Sequence, residues 1–280
     1  MTLSTPEELV AALRRIAATP RLLIASDFDG TLSPLANEPM AARMLPAART
    51  AVDALSALPG VTIAFVSGRS LGDLEVISEH TDDSSILLAG SHGAEFWFPG
   101  VGAVEPEEDP ADIELRDRMR EHATEVTADL PGVFIEPKTF GFGVHTRRAD
   151  AEIAQIANDR VDAIVSREAP QWRRRTGHNI VEYAFRHEGK DSAVAALRER
   201  VDATCVLFAG DDTTDEDALR SLGPDDLGVH IGAGPTAATV SVADIPAFAA
   251  FLGELARLRA AALSTAPGAS EPASGGTTQE

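Results

Sequence analysis

The sequence predicts a doubly wound α/β fold with an inserted α+β segment, on two observations. Short apolar runs alternate with helical periodicity before residue 100 and again after residue 190, as in a parallel sheet covered by helices. Between these stretches, a segment rich in Glu, Asp and Pro at about 105–112 precedes elements in a different order. We expect a core of residues 1–108 and 188–263, an inserted lid at residues 109–187, and a disordered tail at residues 264–280.

The first part of the core is predicted to contain three strands and three helices. Each strand is a short apolar run, and each helix has apolar residues at helical spacing. We expect helices at residues 9–16, 45–58 and 71–77, and strands at residues 22–25, 61–66 and 86–89. The pair Pro59-Gly60 ends the second helix, and Ser67-Gly68-Arg69 follows the second strand.

The lid is predicted to contain two helices and two strand pairs, after which the core resumes. In the lid we expect helices at residues 113–130 and 151–166, a hairpin at residues 133–145, and a strand pair at residues 171–183. In the second part of the core we expect a helix at residues 190–201, a strand at 205–209, a helix from about 214, a short strand at 227–229, and a closing helix at 248–258. Helices again separate the strands, so the sheet is expected to continue.

Composition and charge exclude several classes of protein. The 280 residues leave room for about two domains, and the formal charge of −20 argues against nucleic acid or an anionic membrane as a partner. The single cysteine, Cys205, excludes an internal disulfide and fits a reducing compartment. No apolar run reaches the length of about 20 residues that a membrane span needs. We therefore expect a cytoplasmic protein that acts on a small molecule, and a monomer by default.

Four polar clusters lie where predicted strands end or the next element begins. They are the pair Asp27 and Asp29, Ser67, Lys190, and the trio Asp211, Asp212 and Asp215. The carboxyl ends of parallel strands meet at one edge of a sheet, where ligands bind. Taken singly, each cluster also suits a capped turn or a solvated lysine. Their occurrence together at one predicted edge favours a common site.

This combination of side chains suits phosphoryl transfer. A carboxylate such as Asp27 can attack phosphorus, and a second one such as Asp29 can donate and later accept a proton. Gly30 and Thr31 turn the chain and offer N–H groups to phosphate oxygens. Repulsion between a carboxylate and a phosphate ester must be offset by a metal cation, a lysine and hydroxyl donors. Carboxylate oxygens on two strands are suitable ligands for Mg²⁺.

The ordered clusters resemble those of the haloacid dehalogenase superfamily of phosphatases, over roughly residues 20–250. Because the long gap lies between Ser67 and Lys190, the lid is expected after the third strand. Further stretches are similar to motifs of the trehalose-6-phosphate phosphatases. They are Asp27 to Pro34, Gly90-Ser91-His92-Gly93-Ala94-Glu95, and Glu136-Pro137-Lys138 followed by His145-Thr146-Arg147.

The resemblance implies a Rossmann-like core that hydrolyses trehalose 6-phosphate with Mg²⁺, through an aspartyl-phosphate intermediate. The implied catalytic residues are Asp27, Asp29, Ser67 and Lys190. The implied metal ligands are Asp27, the backbone carbonyl of Asp29, and Asp211, with Asp212 or Asp215 in support. The implied substrate-binding residues are Gly30, Thr31, Arg69, His92, Glu95, Glu136, Lys138, Arg147 and Glu182. Carboxylates and basic side chains of this kind suit the hydroxyl groups of a disaccharide.

Two departures from the family pattern bear on the identity of the sugar. Asp191 follows Lys190 where the family usually has glycine. After Glu182 the chain continues Tyr183-Ala184-Phe185, where the family tends to have Val-Arg-Pro. A donor to the substrate is therefore missing or relocated, to Arg186 or to one of the arginines at 173–175.

Three alternative functions stay open on the sequence. One is a phosphatase of the same fold for another sugar phosphate, including a trehalose-like pseudo-sugar. A second is a phosphomutase that uses the same aspartyl chemistry. The third is a non-catalytic sugar-phosphate sensor, against which the presence of both Asp27 and Asp29 argues.

Overall fold

The computed structural model describes residues 6–36, 38–104, 106–177 and 179–265, which contain eight α-helices and twelve strands. The helices are α1 (Pro6–Ala17), α2 (Pro46–Ser56), α3 (Leu71–Ser78), α4 (Pro110–Thr127), α5 (Ala151–Glu168), α6 (Lys190–Arg200), α7 (Glu216–Ser221) and α8 (Ile245–Thr265). The strands are β1 (Leu22–Ser26), β2 (Val61–Val66), β3 (Leu87–Gly90), β4 (Glu95–Phe98), β5 (Gly102–Val104), β6 (Phe134–Lys138), β7 (Gly141–His145), β8 (Arg173–Gly177), β9 (Ile180–Ala184), β10 (Cys205–Gly210), β11 (Leu227–Ile231) and β12 (Val240–Val242). The tail expected at residues 264–280 lies outside the described residues, apart from the two residues that end α8.

The larger sheet has the strand order β12-β11-β10-β1-β2-β3-β4-β5. The six strands from β12 to β3 are parallel, which confirms the predicted α/β fold. β4 and β5, which the sequence analysis does not predict, run antiparallel to their neighbours and extend one edge. β12 is also unpredicted. Strands of three or four residues carry too little periodicity to be distinguished from loops in a sequence.

Helices cover both faces of this sheet. Leu22 and Ile24 of β1 pack on one face in a core shared with α1, α2, α3 and α8. Leu23 and Ala25 pack on the opposite face with residues of α6 and α7. Because successive side chains of a strand point to opposite faces, a strand buried on both sides must be apolar throughout. The apolar run of β1, residues 22–25, therefore ends at the carboxyl edge of the sheet, and the buried Ser26 separates it from Asp27.

The smaller sheet has the antiparallel order β6-β7-β9-β8 and lies within residues 109–187, the segment that is expected to form the lid. On one face, Phe142 and Tyr183 are buried under α4 and α5. The other face carries Glu136 and Glu182 and contacts the core. A Cβ at Gly141 would lie only 1.8 Å from the carbonyl oxygen of Tyr183, so the close approach of β7 and β9 requires glycine there.

The helices of the described residues include none that is both long and apolar enough to cross a membrane. The apolar surface of the helices is instead used for packing against the two sheets.

We predict that the contact between α2 and α8 is a main source of stability. Leu55 of α2 is fully buried in the core that α8 closes, so L55A should lower the free energy of unfolding by about 2–5 kcal/mol through the lost contacts and the cavity. Val76 on α3 is 52% exposed, so V76A should change the free energy of unfolding by less than about 0.5 kcal/mol. Urea unfolding of both variants checks this, and equal effects would contradict it.

Candidate active site

The carboxyl ends of neighbouring strands bring the four polar clusters together. β10, β1 and β2 are adjacent in the sheet. Asp27 follows β1, Ser67 follows β2, and Asp211 follows β10. Lys190 is the first residue of α6, which begins where the chain returns from the lid to the core. The clusters therefore meet at one edge of the sheet.

The turn after β1 requires glycine at position 30. Gly30 has a φ of +85°, and its N–H donates to the carbonyl oxygen of Ser33 at 2.7 Å. A Cβ on Gly30 would lie 2.1 Å from Asp211 Oδ2. Thr31, the next residue, is buried and donates its hydroxyl to Asp211 Oδ1 at 3.0 Å. The turn thus fixes the position of the Asp211 carboxylate.

Three carboxylates form a cluster with one amine. Oxygen atoms of Asp27, Asp211 and Asp215 lie within 4.8 Å of one another. Lys190 Nζ donates to Asp27 Oδ1 and to Asp215 Oδ1, each at 2.6 Å. Asp27, Asp215 and Lys190 are at most 5% exposed. These buried charges therefore interact with little screening by solvent or salt.

The cluster carries more negative charge than Lys190 can neutralise. Burial, with Asp215 nearby, raises the pKa of Asp211 to about 7. Burial also raises the pKa of Asp27 well above its usual range, although Lys190 opposes the shift. Hard divalent cations prefer carboxylate oxygens, and a bound cation reverses such shifts by favouring the ionised form. The residues present therefore fit a divalent metal ion.

An arginine holds the second carboxylate of the first motif. Arg69 donates from Nε and from a terminal nitrogen to the two oxygens of Asp29, at 2.6 and 2.8 Å. Ser67 is 2% exposed, and its Oγ accepts from the N–H of Arg69 at 3.2 Å. A bidentate pair fixes both the charge and the orientation of a carboxylate. The loop after β2 therefore positions Asp29, whose side chain is not in the three-carboxylate cluster.

The loop after β3 reaches the lid through a histidine. Ser91 and His92 have positive φ, at 48° and 59°, which is uncommon for residues other than glycine. His92 Nε2 lies 2.8 Å from Glu182 Oε2 on β9, and burial lowers the pKa of His92. Glu95 instead accepts from Ser91 and, at 3.2 Å, from the first N–H of α3, on Leu71. Glu95 thus holds this loop in place, and His92 makes the contact with the lid.

The lid contributes a network of alternating charges on its core-facing side. Lys138 Nζ lies 2.9 Å from Glu136 Oε2 and 3.4 Å from Glu182 Oε1. His145 Nε2 lies 2.8 Å from Glu136 Oε2. Burial tends to raise the pKa of Glu136, but His145 and Lys138 outweigh it and hold the value at about 2. At Glu182, burial also tends to raise the pKa, but His92 and Lys138 have the larger effect and keep the pKa well below its usual range.

Three more residues lie near these groups. Two are the predicted site residues Arg147 and Asp212, and the third is Asp191, which departs from the family pattern. Arg147 donates to the carbonyl oxygen of Ala36, in the loop after the first motif, at 3.4 Å. Asp212 donates its N–H to Asp215 Oδ2 at 2.9 Å, but its carboxylate is not in the three-carboxylate cluster. Asp191 Oδ1 is buried and has no hydrogen-bond partner among the described residues. The extra carboxylate at 191 therefore lies near the site without joining the cluster.

Two features of the site go beyond what the sequence predicts. Asp215, expected only in support, is fully buried and accepts from Lys190 and from the N–H of Asp211. The signal for Asp215 is its spacing of three residues from Asp212, which caps the short helical turn at 213–215 in a capping box with Asp215. The second feature is Arg175, which lies directly across from Glu182 in the β8–β9 pair. Nothing in the sequence distinguishes Arg175 from its neighbours, because the strand register decides which side chains face the core.

Comparison with known proteins identifies the family. The family model described as trehalose-phosphatase matches residues 25–247. The chain belongs to this family. A trehalose-phosphate phosphatase of Mycobacterium marinum is 32% identical over 90% of this chain and 66% of its own length. A probable trehalose-phosphate phosphatase of Sinorhizobium fredii is 31% identical over 83% of this chain and 85% of its own length.

A solved structure shares the fold of this family member. The C-terminal domain of the C. albicans trehalose-6-phosphate phosphatase covers 92% of this chain and 98% of its own, with a TM-score of 0.76 and 22% identity. The fold is that of the haloacid dehalogenase phosphatases. The resemblance inferred from the sequence motifs is therefore confirmed at the level of family and fold. The chain spans just under two thirds of the length of the M. marinum relative.

We predict that the cluster destabilises the metal-free protein as the pH rises. Folding raises the pKa of Asp211 from 3.8 to about 7, so the folded state binds a proton more readily than the unfolded state in that interval. The free energy of unfolding therefore falls as the pH rises through it. D211N removes the ionisable group, so the stability of the parent relative to D211N should decline from about pH 4 to about pH 7.

Urea unfolding in the presence of a chelator at several pH values checks this difference. D225N is the matched control, because the Asp225 side chain is 86% exposed. The parent and D225N should show the same pH dependence. A difference between parent and D211N that stays constant across the interval would contradict the prediction.

Proposed function

We propose that the chain is a Mg²⁺-dependent phosphatase that hydrolyses trehalose 6-phosphate to trehalose and phosphate. The observation that carries the proposal is the cluster of Asp27, Asp211 and Asp215 with Lys190, beside the charged face of the lid. Membership of the trehalose-phosphatase family, and relatives named trehalose-phosphate phosphatase, support the same substrate.

Asp27 is the proposed nucleophile. In the first step its carboxylate oxygen forms a bond to phosphorus while the bond from phosphorus to the sugar oxygen breaks. In the second step water attacks phosphorus, the bond to Asp27 breaks, and phosphate is released. Lys190 binds Asp27 Oδ1 and so fixes the orientation of this carboxylate. Lys190 and the hydroxyl of Ser67 then stabilise the charge on the transferring group.

Mg²⁺ is the proposed metal ion. Asp27 and Asp211 offer carboxylate oxygens to it, with Asp212 or Asp215 in support, and the family resemblance implies the backbone carbonyl of Asp29 as a further ligand. Mg²⁺ keeps several waters and needs few protein ligands. When bound, it neutralises negative charge on the phosphoryl group.

Asp29 is the proposed acid and base. In its protonated form it gives a proton to the departing sugar oxygen, and in its ionised form it takes one from the attacking water. Arg69 binds both oxygens of Asp29 and so fixes the position of this carboxylate. We expect Arg69 to move toward the anionic group of the substrate during the first step.

The lid is proposed to recognise the disaccharide, as a unit of residues 109–187 inserted into a core of residues 1–108 and 188–263. Its own buried cluster, which includes Phe142 and Tyr183, supports this division. Sugar hydroxyls both donate and accept hydrogen bonds, so they suit a face that alternates carboxylates with cations. The residues proposed to contact the sugar are Glu136, Lys138, Arg147 and Glu182.

A phosphate-release assay tests the proposed substrate and metal. Trehalose 6-phosphate should be hydrolysed faster than glucose 6-phosphate, a chelator should abolish the activity, and Mg²⁺ should restore it. Equal or faster turnover of other sugar phosphates would overturn the assignment to trehalose. Transfer of the phosphoryl group to a second sugar without net release of phosphate would indicate a phosphomutase.

Replacing the carboxylates of the first motif tests the proposed roles. D27N should reduce kcat on the order of 10⁴-fold or more, because the nucleophile is lost. D29N should reduce it by about 10²- to 10⁴-fold, the usual contribution of a general acid and base. D53N, at an exposed position on α2, is the control and should match the parent. A D27N variant as active as the parent would contradict the proposed role of Asp27 as the nucleophile.

A lid variant tests recognition of the sugar. E136Q should lower kcat/KM for trehalose 6-phosphate by about 10- to 100-fold, because a charged hydrogen bond is lost. E168Q is the control, since Glu168 ends α5 and pairs with Arg167 and His122. Steady-state kinetics should show E168Q within about twofold of the parent, as expected for a surface pair. Equal losses in both variants would point to damage to the lid rather than to recognition.

A further inference from the structure

One aromatic side chain shares the face of the smaller sheet that carries the proposed sugar contacts. Side chains alternate along β6, so Phe134, Glu136 and Lys138 lie on one face of the sheet. Ile135 lies on the opposite face and packs against the helices. Phe134 is therefore in line with two of the charged residues that are proposed to contact the sugar.

The strand register places an apolar row beside the charged one. Phe134 of β6, His145 of β7 and Ile180 of β9 are aligned across the three strands. The ring centroids of Phe134 and His145 are 6.3 Å apart, and their planes are inclined by 33°. His145 Nε2 in turn lies 2.8 Å from Glu136 Oε2. The Phe134 ring is therefore held next to a carboxylate that is proposed to bind the sugar.

Exposure to solvent increases along this face toward Phe134. The side chain of Glu182, which contacts His92 of the core, is 14% exposed, whereas Phe134 is 59% exposed. Phe134 lies about 7 Å beyond Glu136 along the strand, a distance comparable to the length of one sugar ring. Because the phosphoryl group is proposed to bind at the buried carboxylates, the part of the substrate that reaches Phe134 is the part furthest from phosphorus.

The end of the sheet that carries Phe134 is also connected to the core. Arg147, two residues after His145, donates to the carbonyl oxygen of Ala36 at 3.4 Å. Ala36 belongs to the loop that follows the first motif. Phe134 therefore borders the gap between the smaller sheet and the core. A single exposed apolar side chain is ordinary on a protein surface, but this one adjoins a row of polar groups that suits a sugar.

We propose that Phe134 is a specificity-determining residue that packs its ring against the unphosphorylated glucose unit of the substrate. This role rests on the proposed function, since it requires a disaccharide phosphate. A pyranose ring carries hydroxyl groups at its rim and C–H groups on its faces. Glu136 and Lys138 suit the rim, because hydroxyls both donate and accept hydrogen bonds. The flat Phe134 ring suits a C–H face, and the contact removes apolar surface of both from water.

This contact distinguishes a disaccharide phosphate from a monosaccharide phosphate. With its phosphoryl group at the carboxylate cluster, a single sugar ring does not extend to the exposed end of the face. Phe134 therefore contributes binding energy only to the longer substrate. The ring does not touch the reacting atoms, so it binds the ground state and the transition state equally and affects KM rather than kcat.

Steady-state kinetics of the full chain with Mg²⁺ test this role. F134A should lower kcat/KM for trehalose 6-phosphate by about 3- to 10-fold, through KM with kcat unchanged. The inhibition constant of glucose 6-phosphate against this reaction should stay unchanged. F134Y and F134W keep a flat ring and should match the parent, whereas F134L keeps only apolar bulk and should fall between the parent and F134A. V104A is the control, because Val104 is an exposed apolar residue on the edge strand of the larger sheet.

The outcomes separate the role of Phe134 from the proposed function. An unchanged kcat/KM in F134A would overturn the role and leave the proposed function intact. Weaker inhibition by glucose 6-phosphate in F134A would show damage to the phosphate end of the site, and would also overturn the role. A change in oligomeric state by light scattering, without a change in KM, would assign Phe134 to a contact between copies of the chain instead. A parent that hydrolyses no trehalose 6-phosphate would overturn the proposed function and the role together.

Discussion

The buried amine of Lys190, shared by Asp27 and Asp215, is the interaction on which the rest of the structure depends. It joins the end of β1, the start of α6 and the turn after β10, which are far apart in the chain. Removing one partner of a buried ion pair costs about 3–5 kcal/mol, because the other charge stays buried and unpaired. Lys190 therefore fixes the distance between the proposed nucleophile and a carboxylate that could support a metal ion.

Polar contacts hold the lid against this cluster. His92 with Glu182, and Arg173 with Asp217, both cross the seam at hydrogen-bond distance. Contacts of this kind are weaker in water than an apolar interface, so such units usually move relative to one another. They also connect the charged face of the lid to the core, since Glu182 lies next to both Lys138 and His92. Recognition of a sugar by the lid and chemistry in the core would therefore be coupled through the same side chains.

The formal charge of the chain is −20, so a dianion can bind only where cationic side chains supply positive charge locally. At long range the protein repels a phosphate ester, and salt screens that repulsion within about 10 Å. Close to the site, Lys190, Arg69 and Arg175 supply positive charge where burial reduces screening. The attraction is therefore local, and it depends on the lid lying over the core.

The sequence alone determined the alternation of strands and helices and the edge at which the polar residues collect, because apolar periodicity and chain order fix both. It could not determine the antiparallel strands β4 and β5, whose few residues carry little periodicity. Nor could it decide the central place of Asp215 or which arginine of β8 faces the core. Those depend on a helical turn packed against α6 and on the register of β8 with β9. Such contacts join residues distant in the chain, so only the tertiary structure decides them.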